Sequence, residues 1–402
     1  MTTTADPATG FDLSLSEEQR LVQQTARDFA REKVLPQAAE IDEHEKVPAE
    51  LIAEMGRLGF MGIDVPERYG GSGMDSLTYV LVVEEINRAC ASTGVILCSH
   101  VSLGIEPILR SGTDAQKEKW LPALAKGEML ASFALSEPAS GSDAAAMRTS
   151  ARRDGDCFVL NGTKNFITSG SIAGLAIVFA QTQGQGPLSA SASERGALKH
   201  KGIAAFVVEK GTPGFSVGKL EKKLGIRGSD TAQLIFQDCR VPAANLLGQV
   251  GDGFKIALAT LNGGRISIAA QAVGIARACL EDALAYAKER EAFGKKITEF
   301  QAIQWKLADM ATEIDAARLL TWKAATLRDA GEPHILEAAE AKLFASDIAM
   351  KAARDCVQIF GGYGYLTDFP AERHYRDAKI TEIYEGTSEI MKLVIAAEIL
   401  AE

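Results

Sequence analysis

The sequence predicts a mostly α-helical chain in which a small β-barrel-like domain lies between two helical domains. Three observations carry this. Apolar residues recur at helical spacing through residues 1–130 and again from 249 onward. Between 131 and 248 the period falls towards two, and Gly, Pro and Asp punctuate short β-branched runs. The late helical segments are long and joined by short loops, the pattern of an up-down four-helix bundle. The expected organisation is a helical domain at 1–130, a β-domain at 131–248 and a four-helix bundle at 249–402.

The elements follow in order. "SLSEEQRLVQQTARDFAREKVLP" offers Ser14 and Ser16 as caps, repeats Leu21, Ala26, Phe29 and Ala30 near helical spacing, and is expected to stop at Pro36. "AELIAEMGRLGF", "LTYVLVVEEINRACA" and "DAQKEKWLPALAKGE" read as further helices, with "PERYGGSGMDS" as a Gly-rich loop. In "DCFVLNGTKNFITSG" the Asn161-Gly162 pair sits between strand-like runs and predicts a hairpin turn. "GIAAFVVEK", "GFSVGKL" and "AQLIFQDCRVP" are short strands, and the polar 182–202 run reads as a surface loop. "RISIAAQAVGIARACLEDALAYAKER" opens the bundle. Ile303, Leu307, Met310, Ile314, Ala317 and Ala324 then form one apolar stripe. "EAAEAKLFASDIAMKAARDCVQIF" ends at Gly361-Gly362, and "SEIMKLVIAAEILAE" closes the chain.

Composition excludes several function classes. A net charge of −10 argues against a general nucleic-acid or anionic-membrane binder. Six cysteines form no C-x-x-C pair, so reduced thiols are expected. Five histidines show no H-x-x-x-H or H-E-x-x-H spacing, so no metal site is expected. "MTTTADPATG" lacks signal-peptide and transit-peptide character, and no apolar run reaches ~18 residues. A cytoplasmic, bacterial protein without a membrane span is the expectation. No G-x-G-x-x-G follows a strand, and G-x-x-x-x-G-K-[ST] and G-x-S-x-G do not occur.

Six stretches could carry chemistry, and each has a plainer alternative. "FALSEPASGSD" gathers Ser136, Ser140 and Ser142 around Pro138 and Gly141, either as donors to a polar ligand edge or as a Ser/Gly turn. In "KNFITSG", Phe166 could stack on a flat ring with Thr168 as a donor, or Phe166 could sit in the core. "LNGGRISIAAQAVG" begins a helix with Asn262 and Arg265, suited to phosphate or a pantetheine-like chain, or to a domain joint. In "REAFGKKITEFQ", Arg290 and Gln301 flank a Gly loop and could grip a pyrophosphate, or the basic residues could serve a helix C-terminus. "QIFGGYGY" permits close approach to Gly361 and Gly362, or is a helix stop. "ITEIYEGTSEI" holds Glu382, Glu385 and Glu389. Glu389 suits the first turn of a helix and Glu382 suits a surface ion pair. Glu385, between an aromatic residue and Gly386, is held at a bend, either as a partly desolvated carboxylate whose raised pKa would suit a general base or as an ordinary solvated charge.

Taken together in this order, with "PERYGGSG", "KLGIRGSDTAQLIF", "FGKKITEFQAIQWKLADM" and "YRDAKITEIYEGTSEI", these segments resemble the acyl-CoA dehydrogenase family over nearly the whole chain. The resemblance implies FAD between the β-domain and the bundle. Phe133, Leu135, Ser136, Gly141, Ser142, Phe166, Ile167 and Thr168 would hold the isoalloxazine. Arg290, Phe293, Gln301, Gln358, Ile359, Phe360, Gly361 and Gly362 would reach the adenine-diphosphate half on a neighbouring subunit. Thr387, Ser388 and Glu389 would touch FAD within the subunit. Ser142, Asn262, Gly263, Gly264, Arg265, Tyr384 and Gly386 would line the acyl-CoA. Glu385 would take the α-proton while a hydride passes from the β-carbon to flavin N5, giving a trans-2-enoyl-CoA. Electrons would pass on to an electron-transferring flavoprotein, and a homotetramer (a dimer of dimers) is implied.

Two positions depart from common family patterns. Phe166 stands where many members carry Trp, and Gly264 where the isovaleryl-type branch carries its base. The second departure favours Glu385. "STGVILCSH" and "FALSEPASGSD" look most like butyryl-type members, which implies a short acyl chain. Short/branched-chain acyl-CoAs, or a flavin oxidase on the same fold, are the alternatives.

Overall fold

The computed structural model describes residues 14–182 and 200–401; the expected 182–202 loop lies almost wholly outside them. The first part is helical: α1 (Glu17–Phe29), α2 (Ala38–Glu43), α3 (Ala49–Arg57), α4 (Ser76–Ala89), α5 (Ala91–Cys98), α6 (Glu106–Ser111) and α7 (Asp114–Ala125). Ser16 caps α1 in a reciprocal box: the Gln19 amide donates to Ser16 Oγ (3.0 Å) and the Ser16 amide to Gln19 Oε1 (2.9 Å). Pro36 does not stop the chain. It falls in the first positions of a 3-10 turn, Leu35–Gln37, where a missing N–H costs nothing, and the chain runs on into α2.

The run Ala91–Ser111, which joins α5 to α6 through a π-helical turn, is long and apolar enough by length and composition to span a membrane. It is not an unbroken apolar run, since His100, Glu106 and Arg110 interrupt it. The reason it is apolar is packing, since 89% of that window is buried within the protein.

The central sheet contains β1 (Ala131–Ala134), β2 (Ser150–Asp154), β3 (Cys157–Thr168), β4 (Leu175–Gln181), β5 (Ile203–Glu209), β6 (Phe215–Leu220), β7 (Thr231–Pro242) and β8 (Leu246–Leu247). Its order is β6-β7-β3-β2-β4-β5-β8, with β1 parallel to β4. The hairpin is not at Asn161-Gly162. β3 runs through that pair, and the turn falls at Gly155, where Asp154 faces Cys157. Asn161-Gly162 is instead a bulge on the β3–β7 ladder. Gly162 has φ +151°, and a Cβ there would lie 2.5 Å from Thr149 Oγ1. Asn161 Oδ1 accepts from the Asp238 amide (2.8 Å), so the side chain ties the two strands where the ladder slips.

The last part comprises α8 (Gly253–Glu289), α9 (Gln301–Asp329), α10 (Ile335–Phe360), α11 (Pro370–Ala378) and α12 (Ser388–Ala401). α8 begins at Gly253, so Asn262 and Arg265 lie within it and not at its start. Gly253 seats that start: a Cβ there would meet the Ala204 backbone of β5. Ala338, Ala341, Ala345, Ala349 and Ala352 on α10 are buried, and small side chains let helix axes approach closely. On α9 Met310, Ile314, Ala317 and Ala324 are buried as expected, with Ile303 and Leu307 partly so.

Buried charges join the parts. Glu84 and Glu85 on α4 sit under Arg277 of α8, at 3.2 and 2.9 Å. Arg318 of α9 bonds Glu84 (3.0 Å), and Arg27 of α1 bonds Glu85 (2.8 Å). Arg376 on α11 spans all three parts: it donates to Asp42 (2.6 Å) on α2, to Glu372 (2.6 Å) and to the Leu224 carbonyl (3.3 Å) beyond β6. Removing one partner of such a group leaves its counter-charge stranded. Arg277→Met is expected to lower unfolding stability by about 3 kcal/mol. Urea titration reads this, and a loss under about 1 kcal/mol would show that the α4–α8 contact does not depend on these charges.

Candidate active site

The bend after α11 is held open against its own strain. Glu385 has φ +56° and Gly386 φ +97°, two successive residues in the left-handed region. For a residue with a Cβ this costs about 1–3 kcal/mol and persists only where surroundings impose it. Three contacts do so. Lys342 Nζ on α10 donates to the Gly386 carbonyl (2.6 Å). The Tyr384 hydroxyl donates to Gln271 Oε1 on α8. Thr387 Oγ1 accepts from the Ile390 amide (3.3 Å), starting α12. The positive φ favours glycine at 386, and a Cβ there would also press on Met391 Cε, 2.6 Å away at the movable end of its side chain.

The Glu385 carboxylate fills space that Gly264 leaves. A Cβ at 264 would collide with Glu385 Oε2 and lie 3.1 Å from Leu103 of the first helical part. Glu385 is half-buried as a residue, but Oε2 is enclosed and has no hydrogen-bond partner. Burial pushes its pKa up to about 7, against the pull of Arg265 and Lys342. Arg265 is itself buried. Its Nη1 donates to Asn262 Oδ1 (2.8 Å), and its Nε has no partner. Burial lowers the Arg265 pKa, and Glu385 opposes that. Gly263, next to it, leaves room for the Arg328 guanidinium, 3.1 Å from where a Cβ would be. The structure thus brings Gly264, Arg265, Tyr384 and Gly386 around Glu385. The other two carboxylates separate from it. Glu382 pairs with Lys379, and Glu389 is exposed, held below the usual range by its own amide and the Thr387 hydroxyl.

On the sheet, Phe133 is half-buried at the end of β1 and meets Phe179 edge-on, centroids 4.9 Å apart. The loop beyond it is pinned by a buried lysine. Lys164 Nζ donates to the Leu135 carbonyl (3.0 Å) and to Glu137 (2.8 Å), whose carboxylate also accepts from the Arg148 and Thr149 amides (2.6 and 2.9 Å). Ser136 accepts from the Asn165 amide (2.9 Å), leaving Gly141 and Ser142 exposed. Phe166 is not in the core: it is 64% exposed at φ +59°, while Ile167 beside it is buried and Thr168 is half-buried.

At one end of the bundle Arg290, Ile359, Phe360, Gly361 and Gly362 line a cleft of about 530 Å³ with Tyr286 and Tyr363. Gly361 has φ +63°, and a Cβ on either glycine would meet nothing within 4 Å. Gln301 and Gln358 are exposed, and Phe293 is 96% exposed. None of the residues around Glu385 lines this cleft. Thr387 is half-buried, and Ser388 Oγ is enclosed without a partner.

These features fit a flavin dinucleotide. An aromatic ring, Phe166, stands free at an irregularity near the end of β3, buried polar atoms lack partners beside an enclosed carboxylate, and an open Gly-rich cleft carries an arginine. Sequence reasoning missed Lys342, Gln271, Leu103 and the Lys164–Glu137 pair. Lys342 had a signal: it falls on the same helical face as Ala338, Ala341, Ala345 and Ala349.

Three family models match in chain order: acyl-CoA dehydrogenase N-terminal domain at 16–128, middle domain at 132–239 and C-terminal domain at 251–400. The short-chain specific acyl-CoA dehydrogenase, mitochondrial, of Homo sapiens is 52% identical over 388 residues, covering 96% of this chain and 91% of the relative. The structure of butyryl-CoA dehydrogenase from Megasphaera elsdenii superposes with TM-score 0.92 at 46% identity, covering 97% of this chain and 100% of the other. A chain solved in work on the electron transferring flavoprotein of Acidaminococcus fermentans gives TM-score 0.93 at 48% identity, covering 98% and 100%. With its three domains matched and this identity along nearly its whole length, the chain belongs to the acyl-CoA dehydrogenase family.

Proposed function

We propose that the protein oxidises a short-chain acyl-CoA, butyryl-CoA by preference, to the trans-2-enoyl-CoA, with Glu385 as the base. The enclosed, partnerless Oε2 of Glu385 carries this reading, because a desolvated carboxylate with a pKa of about 7 can accept a proton near neutral pH. FAD, the cofactor of this family, supplies the acceptor for the β-hydride when bound. Phe133–Ser142 and Phe166–Thr168 would seat its ring system against the ends of β1 and β3, and Thr387–Glu389 would touch it from the same subunit. Arg290, Phe293, Gln301 and Gln358–Gly362 would meet its distal half in a neighbouring subunit of a homotetramer.

The chain's own residues account for the proton chemistry. Gly264 leaves the carboxylate room, and the left-handed bend aims it. Enclosure keeps water from competing for the proton and strengthens every charge in the pocket. Asn262 fixes Arg265, whose unpartnered Nε remains to meet a polar group of the acyl-CoA, and the exposed Ser142 would offer it a hydroxyl. General-base help of this kind is worth about 10²–10⁴-fold. The short-chain and butyryl relatives support the chain-length preference, and the flavoprotein neighbour supports an electron-transferring flavoprotein as electron acceptor. The unpaired cysteines support a cytoplasmic setting.

Three results test this. Glu385→Gln is expected to keep its yellow FAD yet fail to bleach with butyryl-CoA under anaerobic conditions; full bleaching removes Glu385 from the role. Because the base must be ionised, kcat/KM should fall as pH drops below about 7, and a profile flat from pH 5 to 9 would contradict it. Butyryl-CoA should be turned over faster than octanoyl-CoA, and the reverse order would remove the short-chain assignment.

A further inference from the structure

Lys342 is fully buried on α10, yet among the described residues it forms no ion pair at contact distance. Its Nζ makes one hydrogen bond, to the Gly386 carbonyl at 2.6 Å. A buried ammonium with no touching carboxylate is costly, and such a group is rarely retained for stability alone. Its position is specific. The carbonyl it holds belongs to the second of the two left-handed residues, directly after Glu385. The structure therefore has a cation fastened to the one turn that aims the base.

Few other charges share this space. Arg265 of α8 also faces Glu385, but is tied to Asn262. Cys98 of α5 lies close and stays neutral, since burial pushes its thiol up to about 12. Tyr384 is likewise pushed up by burial. Lys342 is faced by Glu385, Arg265, Asp347 on its own helix and Glu382. Arg265 and Lys342 are thus the two cations that oppose desolvation of the Glu385 carboxylate.

We propose that Lys342 is a positioning residue for Glu385: its ammonium pins the Gly386 carbonyl, holds the left-handed turn, and supplies the buried positive charge that keeps the carboxylate ionisable near neutral pH. The inference rests on Glu385 being the base. The sign follows from charge. Loss of the cation disfavours the carboxylate, so Glu385 should stay protonated to higher pH and the active fraction at pH 7 should fall. Burial lowers the Lys342 pKa to about 8, so the cation is present in the range where Glu385 ionises near 7.

The experiment follows the protonated-carboxyl infrared band of Glu385 against pH in the FAD-containing enzyme, the band being assigned by its loss in Glu385→Gln. Wild type should show a midpoint of about 7. Lys342→Met should raise it by about one unit or more, and the acid limb of kcat/KM with butyryl-CoA should move by the same amount. Lys342→Arg, which keeps the charge, should restore both to within about half a unit. A folded Lys342→Met with wild-type FAD content and an unmoved midpoint overturns the proposal. Where Lys342→Met does not fold, Lys342→Gln keeps a donor for the Gly386 carbonyl without the charge, and is read the same way. If the band moves with Lys342 while kcat/KM does not follow it, the base assignment fails and the Lys342 role stands.

Discussion

The seat of the Glu385 carboxylate is the constraint on which the rest of this structure depends. An acid group occupies the space a side chain at Gly264 would need, on a residue whose backbone is left-handed. The bend needs Lys342 from α10 and Gln271 from α8, and the pocket needs Leu103 from the first helical part. The surroundings of Glu385 are thus assembled from the first helical part, α8 and α10.

That docking is electrostatic as well as apolar, and the contrast between its carboxylates and Glu385 is informative. Burial works against ionisation of Glu85 and Glu137, but Arg27 and Arg277 in one case and Lys164 in the other outweigh it, so both stay below the usual range. These are paired structural charges. Glu385 is enclosed in the same way but faces its cations without touching them, so burial wins and its pKa rises. The same side chain is a paired strut in one place and an enclosed carboxylate of raised pKa in the other, and the difference is whether a donor reaches its oxygens.

Much of the fold was legible. The fall of the period towards two and its later return to helical spacing signalled a β-domain between helical parts, because strand and helix bury faces of different periodicity. The failures were local and had physical causes. Asn161-Gly162 looks like a hairpin turn until β7 is present to continue the ladder across it. Pro36 looks like a stop, but a proline early in a new helical turn is tolerated. Asn262 looks like a helix start, but Gly253 lets α8 begin earlier against β5. Phe166 could not be assigned to core or surface from a strand pattern, because its positive φ breaks the alternation.

By itself the sequence determined the order and type of the elements, the glycines that permit special backbone geometry, and the family motifs in which Glu385 lies. Those depend on local periodicity and on residue types that act within a few positions. Only the tertiary structure decided which of three neighbouring glutamates is enclosed. It also decided that Gly264 makes room for that carboxylate and that Lys342 reaches the turn beside it. Desolvation and Coulomb terms depend on distances between residues far apart in the chain, and no local pattern in Ile380–Ile390 sets those distances.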